Sequence, residues 1–219
     1  MLAAGAQPAL AQVAGKLSIQ SGYQVRGYSV SQGRPVGVLD LNYDSPSGFY
    51  LSESTFGALP DSDDPGLLGL IGAAGYAKRL NNLLSIDGGI TRSEYFRVGP
   101  GGYHTGYADV YAGVSTSRLS YHLYYSPDYF RPGSKTLYSD FEGNIGTVAD
   151  IRLNAHLGLL NYIDRPGVRT QYDWRVGVSR QFGAVDIHAA LSGGGPSPDV
   201  YDGQPHSKTE FIVGAGYTF

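Results

Sequence analysis

The sequence predicts a closed antiparallel β-barrel that spans a membrane. Apolar and polar residues alternate with a period of two along most of the chain, as in strands with one apolar and one polar face. Long and short connections alternate between these stretches, which is typical of barrels with short periplasmic turns and longer extracellular loops. The tail Glu210–Phe219 keeps this alternation to a final aromatic residue. Its length matches the roughly 9–11 residues of one tilted membrane-spanning strand.

Composition supports a barrel and excludes several other classes. The chain has 219 residues and a net charge of −3, with a mean hydropathy of −0.18. The longest apolar run, 67–77, is shorter than the roughly 20 residues of a spanning helix. Cysteine is absent, which excludes disulfides and thiolate metal sites. The charge balance gives no electrostatic case for binding nucleic acid. We expect no cofactor.

The first residues are typical of the end of a secretory signal peptide. They are small and apolar, and Ala9-Leu10-Ala11 has the A-x-A form of a cleavage site. We therefore predict a signal remnant over residues 1–11 and a barrel domain over 12–219. A short disordered leader is the alternative.

Period-two stretches predict twelve strands. In order, they cover residues 16–27, 36–44, 48–57, 68–79, 83–96, 105–114, 118–127, 135–146, 150–162, 170–181, 184–193 and 208–219. The long connections carry the Pro and Gly residues that punctuate loops. An even number of strands places both termini on the same side, and the short turns identify that side as periplasmic.

The two faces of each strand predict which side chains line the lumen. In the ninth strand, Ile151, Leu153 and Leu157 alternate with Arg152, Asn154 and His156. An Arg or Lys facing lipid at mid-depth costs roughly 2–4 kcal/mol, so the charged face is expected inside. In the sixth, tenth and eleventh strands, apolar and charged residues alternate in the same way, so their charged faces are also expected inside. In the third strand this reasoning turns Glu53 inward and places the other face outward, namely Tyr50, Ser52, Ser54 and Phe56.

Aromatic residues near strand ends predict two membrane-interface girdles. The periplasmic girdle is expected to contain Tyr43, Phe182, Tyr217 and Phe219. The extracellular girdle is expected to contain Tyr95, Tyr125, Tyr162, Tyr172 and Trp174. Tyr217 and Phe219 also form a terminal aromatic pattern like the signal that such barrels present to their assembly machinery.

The segments 22–35, 39–43 and 47–50 resemble the N-terminal block of the TorF family of proteobacterial porins. They read Gly-Tyr-Gln-Val-Arg-Gly-Tyr-Ser-Val-Ser-Gln-Gly-Arg-Pro, Leu-Asp-Leu-Asn-Tyr and Ser-Gly-Phe-Tyr. The resemblance is specific over residues 16–55 and looser but collinear beyond them. It implies a β-barrel in the outer membrane of a Gram-negative bacterium and no catalytic residues.

The predicted lumen is acidic. Its residues are Arg26, Asp40, Glu53, Asp87, Asp109, Tyr111, His122, Asp140, Glu142, Arg152, Asn154, His156, Asp173, Arg175, Asp186, His188, Lys208 and Glu210. More carboxylates than basic groups favour small cations in an open pore. The alternative is a filled interior in which these charges pair, because twelve strands fall between filled and open barrels.

Other functions have weaker signals in the sequence. His122, His156 and His188 lie near mid-strand on the lumen face, but alternate strands are roughly 9.5 Å apart, so no metal site is predicted. Ser120 with His122, and Asn154 with His156, are the only hints of a hydrolase. We therefore predict a porin for small polar solutes or ions in outer-membrane lipid. A non-conducting surface barrel is the main alternative, ahead of a membrane-embedded hydrolase.

Overall fold

The chain forms a closed antiparallel barrel of twelve strands, as the sequence predicts. The computed structural model describes residues 11–59, 66–98, 103–165, 167–195, 197–198, 205–206 and 209–219. The strands are β1 (Gln12–Gln20), β2 (Val36–Asp44), β3 (Phe49–Ala58), β4 (Leu67–Arg79), β5 (Ser85–Val98), β6 (Tyr103–Ser115), β7 (Leu119–Ser126), β8 (Thr136–Val148), β9 (Ile151–Tyr162), β10 (Gln171–Phe182), β11 (Val185–Gly195) and β12 (Glu210–Thr218). The described residues include no helix long and apolar enough to cross a membrane.

Each strand pairs with its neighbours in chain order, and β1 closes the barrel by pairing with both β2 and β12. At this seam the backbones of Gly15 and Phe219 exchange two hydrogen bonds of 3.0 and 2.9 Å. A Cβ atom on Gly15 would collide with the Phe219 ring, so the ring packs directly over this glycine. The C-terminal residue is therefore part of the closure.

The prediction for the first strand is wrong. β1 ends at Gln20, and residues 21–35 leave the wall instead of extending it. Gln24–Val25 pairs with Tyr28–Ser29 in a small hairpin, whose two turn residues, Arg26 and Gly27, have φ angles of 47° and 80°. Positive φ at both positions is the geometry of a tight two-residue hairpin turn. The other eleven predictions match β2–β12 to within two residues at each end.

The outward face of β3 was also predicted wrongly. Phe49 and Leu51 are 62% and 55% exposed, whereas Phe56 is fully buried. Strand alternation then turns Glu53 outward and Tyr50 inward. Ser52 and Ser54 of β3 lie inside with Tyr50. The free energy gained by placing Phe49 and Leu51 outside therefore exceeds the cost of exposing the single Glu53 carboxylate there.

The periplasmic ends carry exposed aromatic side chains at Tyr43, Phe182, Tyr217 and Phe219. Two residues predicted for the extracellular girdle lie inside instead. Tyr95 is 3% exposed, and Tyr162 packs against the same buried cluster. Both rings point inward because the extracellular half of the barrel contains an apolar core against which they pack.

An aromatic core occupies that extracellular half. Its rings come from the strands and from two inward-folded connections. Tyr23 of the segment 21–35 stacks on Phe56 at a centroid distance of 4.5 Å. Tyr129 and Phe130, in the connection 127–135, pack on Tyr107 at 4.6 and 4.8 Å. The core therefore holds these connections inside the barrel.

Candidate functional site

The segment 21–35, here called the inner loop, crosses the lumen. On one side, Arg26 reaches Asp109 of β6. On the other side, a Cβ on Gly27 would lie 3.0 Å from the Asp173 Cβ and 3.5 Å from the Gly194 Cα. Glycine is required there because the turn combines positive φ with close contact to the wall. Two strand residues anchor the loop: Ser192 donates to Gln24 at 2.9 Å, and Gln171 accepts from Tyr28 at 3.4 Å.

Arg26 at the tip of the inner loop is buried among aromatic rings. Its guanidinium lies 2.8 Å from the Asp109 carboxylate, and the two side chains are 10% and 1% exposed. The guanidinium carbon is 4.3–5.7 Å from four tyrosine ring centroids, those of Tyr107, Tyr124, Tyr129 and Tyr138. These distances are within cation–π range. The geometry locks the loop tip into the middle of the barrel.

Beyond the loop tip, a cavity of about 940 Å³ occupies the barrel interior. It extends to Arg152, Gln181 and Thr218 at the periplasmic ends of β9, β10 and β12. Its lining includes eleven of the predicted lumen residues: Arg26, Asp109, Asp140, Glu142, Arg152, Asn154, His156, Asp173, Arg175, Asp186 and His188. The interior therefore has a filled extracellular half and a polar, charged remainder.

His156 is the centre of one charged network on the cavity wall. Its Nε2 lies 2.6 Å from the Asp173 carboxylate, which also accepts from the Tyr138 hydroxyl at 3.2 Å. Its Nδ1 lies 3.2 Å from Asp140 and 3.1 Å from Glu142. Three carboxylates therefore surround this one imidazole ring.

Among the described residues, this cluster is the one best suited to bind a cation. One ligand atom each from Asp140, Glu142 and His156 lie within 4.8 Å of one another. Carboxylate oxygens and an imidazole nitrogen are suitable ligands for divalent ions. Arg175 also reaches Glu142 at 2.8 Å and competes for that carboxylate.

A second network joins β3, β5, β6 and β7 across the wall. His122 lies 3.1 Å from Asp87, and the Tyr50 hydroxyl donates to the same carboxylate at 3.2 Å. Tyr50 also makes a short hydroxyl contact with Tyr111. On the other wall, Asp186 pairs with Lys16 at 2.7 Å and with His188 at 3.1 Å. Each of the three histidines on the predicted lumen face thus pairs with its own carboxylates.

The remaining predicted residues lie on the wall or outside the described part. Asp40 and Glu210 are half-buried on the inward faces of β2 and β12. Glu53 faces outward, and Lys208 is outside the described residues. Sequence reasoning missed Lys16, Tyr124 and Tyr138 as lumen residues. The two tyrosines could have been found, because each is two residues from a predicted lumen residue on the same strand face.

Comparisons with known proteins agree with this architecture. The model of a family described as a bacterial protein of unknown function, Gcw_chp, matches residues 3–203. None of the comparisons assigns the chain to the TorF family, and no curated protein matches it.

Three solved structures are similar in fold. The NanC porin has a TM-score of 0.63 and 11% identity, over 92% of this chain and 98% of its own. The KdgM porin, solved in complex with disordered oligogalacturonate, has a TM-score of 0.55 and 16% identity over 96% and 99%. The COG4313 outer-membrane channel from Pseudomonas putida F1 has a TM-score of 0.51 and 14% identity over 97% and 96%. These similarities support the barrel fold.

Proposed function

The chain belongs to the Gcw_chp family of bacterial proteins, and we propose that it is an outer-membrane porin for small polar solutes or ions. The observation that carries this proposal is the charged cavity of about 940 Å³ inside a closed barrel. A barrel that served only as a membrane scaffold would not need charged side chains along a cavity, because desolvating them costs free energy. Water and small polar solutes are the natural occupants of such a space.

The charge of the lumen supports a weak preference for cations. Eight inward-facing carboxylates stand against four basic side chains. The carboxylates are Asp40, Asp87, Asp109, Asp140, Glu142, Asp173, Asp186 and Glu210, and the basic residues are Lys16, Arg26, Arg152 and Arg175. Rings of acidic groups favour cations in channels. Several of these carboxylates are paired, so the net effect is small.

The inner loop sets the width of the proposed path. It crosses the lumen between β6 and β10, and Arg26 fixes its tip. The aromatic core further narrows the extracellular half. We infer that solutes pass beside this loop or after it has been displaced. The narrowed lumen excludes large solutes.

The histidine contacts favour transport over hydrolysis. His122 pairs with Asp87, and His156 pairs with Asp140, Glu142 and Asp173. A serine hydrolase needs a histidine within reach of the serine hydroxyl as its base. Carboxylates face both ring nitrogens of His156, which supports a role for this histidine in the lumen charge network and a transport function for the barrel.

Two further expectations belong to this proposal. Residues 1–11 are removed as a signal peptide, and Tyr217 with Phe219 presents the terminal signal to the assembly machinery. The resemblance to the TorF porins over residues 16–55 supports the same function.

Uptake into liposomes tests the proposal directly. Proteoliposomes containing the refolded protein are diluted into isotonic solutions of neutral sugars of increasing size, and swelling is followed by light scattering. We expect swelling with small sugars and a sharp decrease with larger ones. Protein denatured before reconstitution is the control. Absence of swelling with every solute, despite a heat-modifiable folded barrel, would favour the non-conducting surface barrel.

A further inference from the structure

The lipid-facing surface of the barrel carries charge at one place away from the strand ends. Glu53 on β3 is exposed on the same face as Phe49 and Leu51. Arg92 on β5 is 57% exposed and pairs with Glu94 on the same strand. Among the described residues, outward faces elsewhere are apolar or small between their ends. Lipid cannot solvate these groups, so this surface is poorly suited to hydrocarbon.

Neighbouring aromatic rings define the depth of these charges. Phe49 packs edge-on against Tyr76 near the periplasmic side, at a centroid distance of 5.2 Å. Phe96 stacks on His104 towards the extracellular side, at 4.9 Å. Glu53 and Arg92 are each four residues from the nearer aromatic row. With a rise of about 3.3 Å per residue and a tilt of about 40°, both lie roughly 10 Å inside an apolar band about 25 Å tall.

The opposite charges flank a position without a side chain. Gly72 of β4 is in register with Glu53 on one side and with Arg92 on the other. The nearest atom to a Cβ built on Gly72 is a backbone oxygen at 3.9 Å, so the space above this glycine is open. Ala74 on the same outward face is also small. A second surface can approach closely here.

This arrangement is complementary to itself. If two copies face each other across a two-fold axis along the membrane normal through Gly72, Glu53 of each copy lies opposite Arg92 of the other. Strand tilt offsets the two residues by roughly 6 Å in height, which an extended arginine can span. Such an isologous contact uses one patch on both subunits. Within one copy the Thr55 hydroxyl donates to the Glu53 carboxylate at 2.8 Å.

We propose that the outer face of β3–β5 is a dimer interface, occupied in the membrane by a second copy of this chain. In this interface Arg92 keeps its contact with Glu94 of its own strand and also faces Glu53 of the second copy, and these ion pairs take the place of contacts with lipid. The interface does not depend on whether the lumen conducts.

Single cysteines test the position of the axis. The chain has no native cysteine, so Gly72→Cys introduces one thiol at the proposed axis. Val176→Cys is the matched control, because Val176 is 54% exposed on β10, on the other side of the barrel. We expect mild oxidation in the membrane to give a cross-linked dimer with Gly72→Cys and only background with Val176→Cys. Equal cross-linking at both positions would overturn the proposal.

Charge reversal tests the pairing itself. Glu53→Arg and Arg92→Glu each place like charges across the axis, so we expect the dimer dissociation constant in detergent to rise by roughly tenfold or more. The double variant Glu53→Arg/Arg92→Glu restores both pairs, and so does mixing the two single variants as a heterodimer. Sedimentation equilibrium measures the mass, and heat-modifiable mobility shows that each variant is folded.

The outcomes separate a second copy from other occupants. A monomeric wild-type protein at all accessible concentrations, or a dimer that neither single reversal weakens, would overturn the proposal. Binding of lipopolysaccharide by the monomer, lost in Arg92→Glu and not recovered in the double variant, would assign the patch to lipid instead. Recovery in the mixed heterodimer would support the assigned pairing most strongly.

Discussion

Replacing Arg26 with methionine should release the inner loop. The substitution keeps an apolar chain among the tyrosine rings but removes the charge that pairs with Asp109. Removing one partner of a buried ion pair typically costs about 3–5 kcal/mol, because the other charge is left buried. Thr91 still donates to Asp109 at 3.2 Å, and the cavity adjoins this carboxylate. We therefore expect the free energy that holds the loop in place to fall by about 2–4 kcal/mol. At roughly 1.4 kcal/mol per factor of ten, the released state gains roughly 30- to 1,000-fold in population.

Single-channel recording and limited proteolysis measure this release. We expect Arg26→Met to show longer or larger openings and faster chymotrypsin cleavage after Tyr28, which the same loop holds against Gln171 at 3.4 Å. Arg165→Met is the control, because Arg165 is partly exposed and its guanidinium lies 5.6 Å from the Tyr162 ring. The double variant Arg26→Met/Asp109→Asn should recover part of the loss, since no charge remains stranded. Wild-type openings and cleavage rates in Arg26→Met would refute the assignment of Arg26 as the loop's anchor.

Three further predictions concern other parts of the barrel. Gly27→Val should displace the loop tip through strain at positive φ and a clash with Asp173, and faster chymotrypsin cleavage after Tyr28 would show it. Deleting Phe219 should lower the yield of heat-modifiable barrel in the outer membrane, because the residue pairs with β1 at the seam; normal levels would contradict this. Changing Asp109, Asp140 and Asp173 together to Asn should shift the reversal potential towards anions more than any single change does, and an unchanged potential would count against acidic selectivity.

Eleven of the twelve strands could be predicted from the sequence. The lipid and the lumen impose opposite polarity on successive residues, and this pattern is visible wherever a strand crosses the membrane. The prediction for the first strand failed because apolar and polar residues also alternate along the hairpin of the inner loop. Its alternation from Tyr23 to Arg26 has the same period as a wall strand, although it packs against the inside of the barrel.

The candidate site was only partly predictable. Alternation on β8 and β9 indicates that Asp140 and His156 lie inside, since Phe141 and Leu157 beside them are apolar. Their pairing with Asp173 depends on strand register, and the contact between Arg26 and Asp109 depends on a loop that folds back across the lumen. The prediction for Glu53 was wrong because a single charge was given more weight than the apolar Phe49 and Leu51 on the same face of β3.

Conductance in a planar bilayer is the most direct test of the central claim, which is that ions or small polar solutes pass through this barrel. The refolded wild-type protein is inserted and the reversal potential is measured across a salt gradient. We expect discrete conductance steps with a weak cation preference that fades as salt increases, because lumen charges are screened within a Debye length of about 8–10 Å at physiological salt. Folded protein that inserts but never conducts, even as Arg26→Met, would contradict the account.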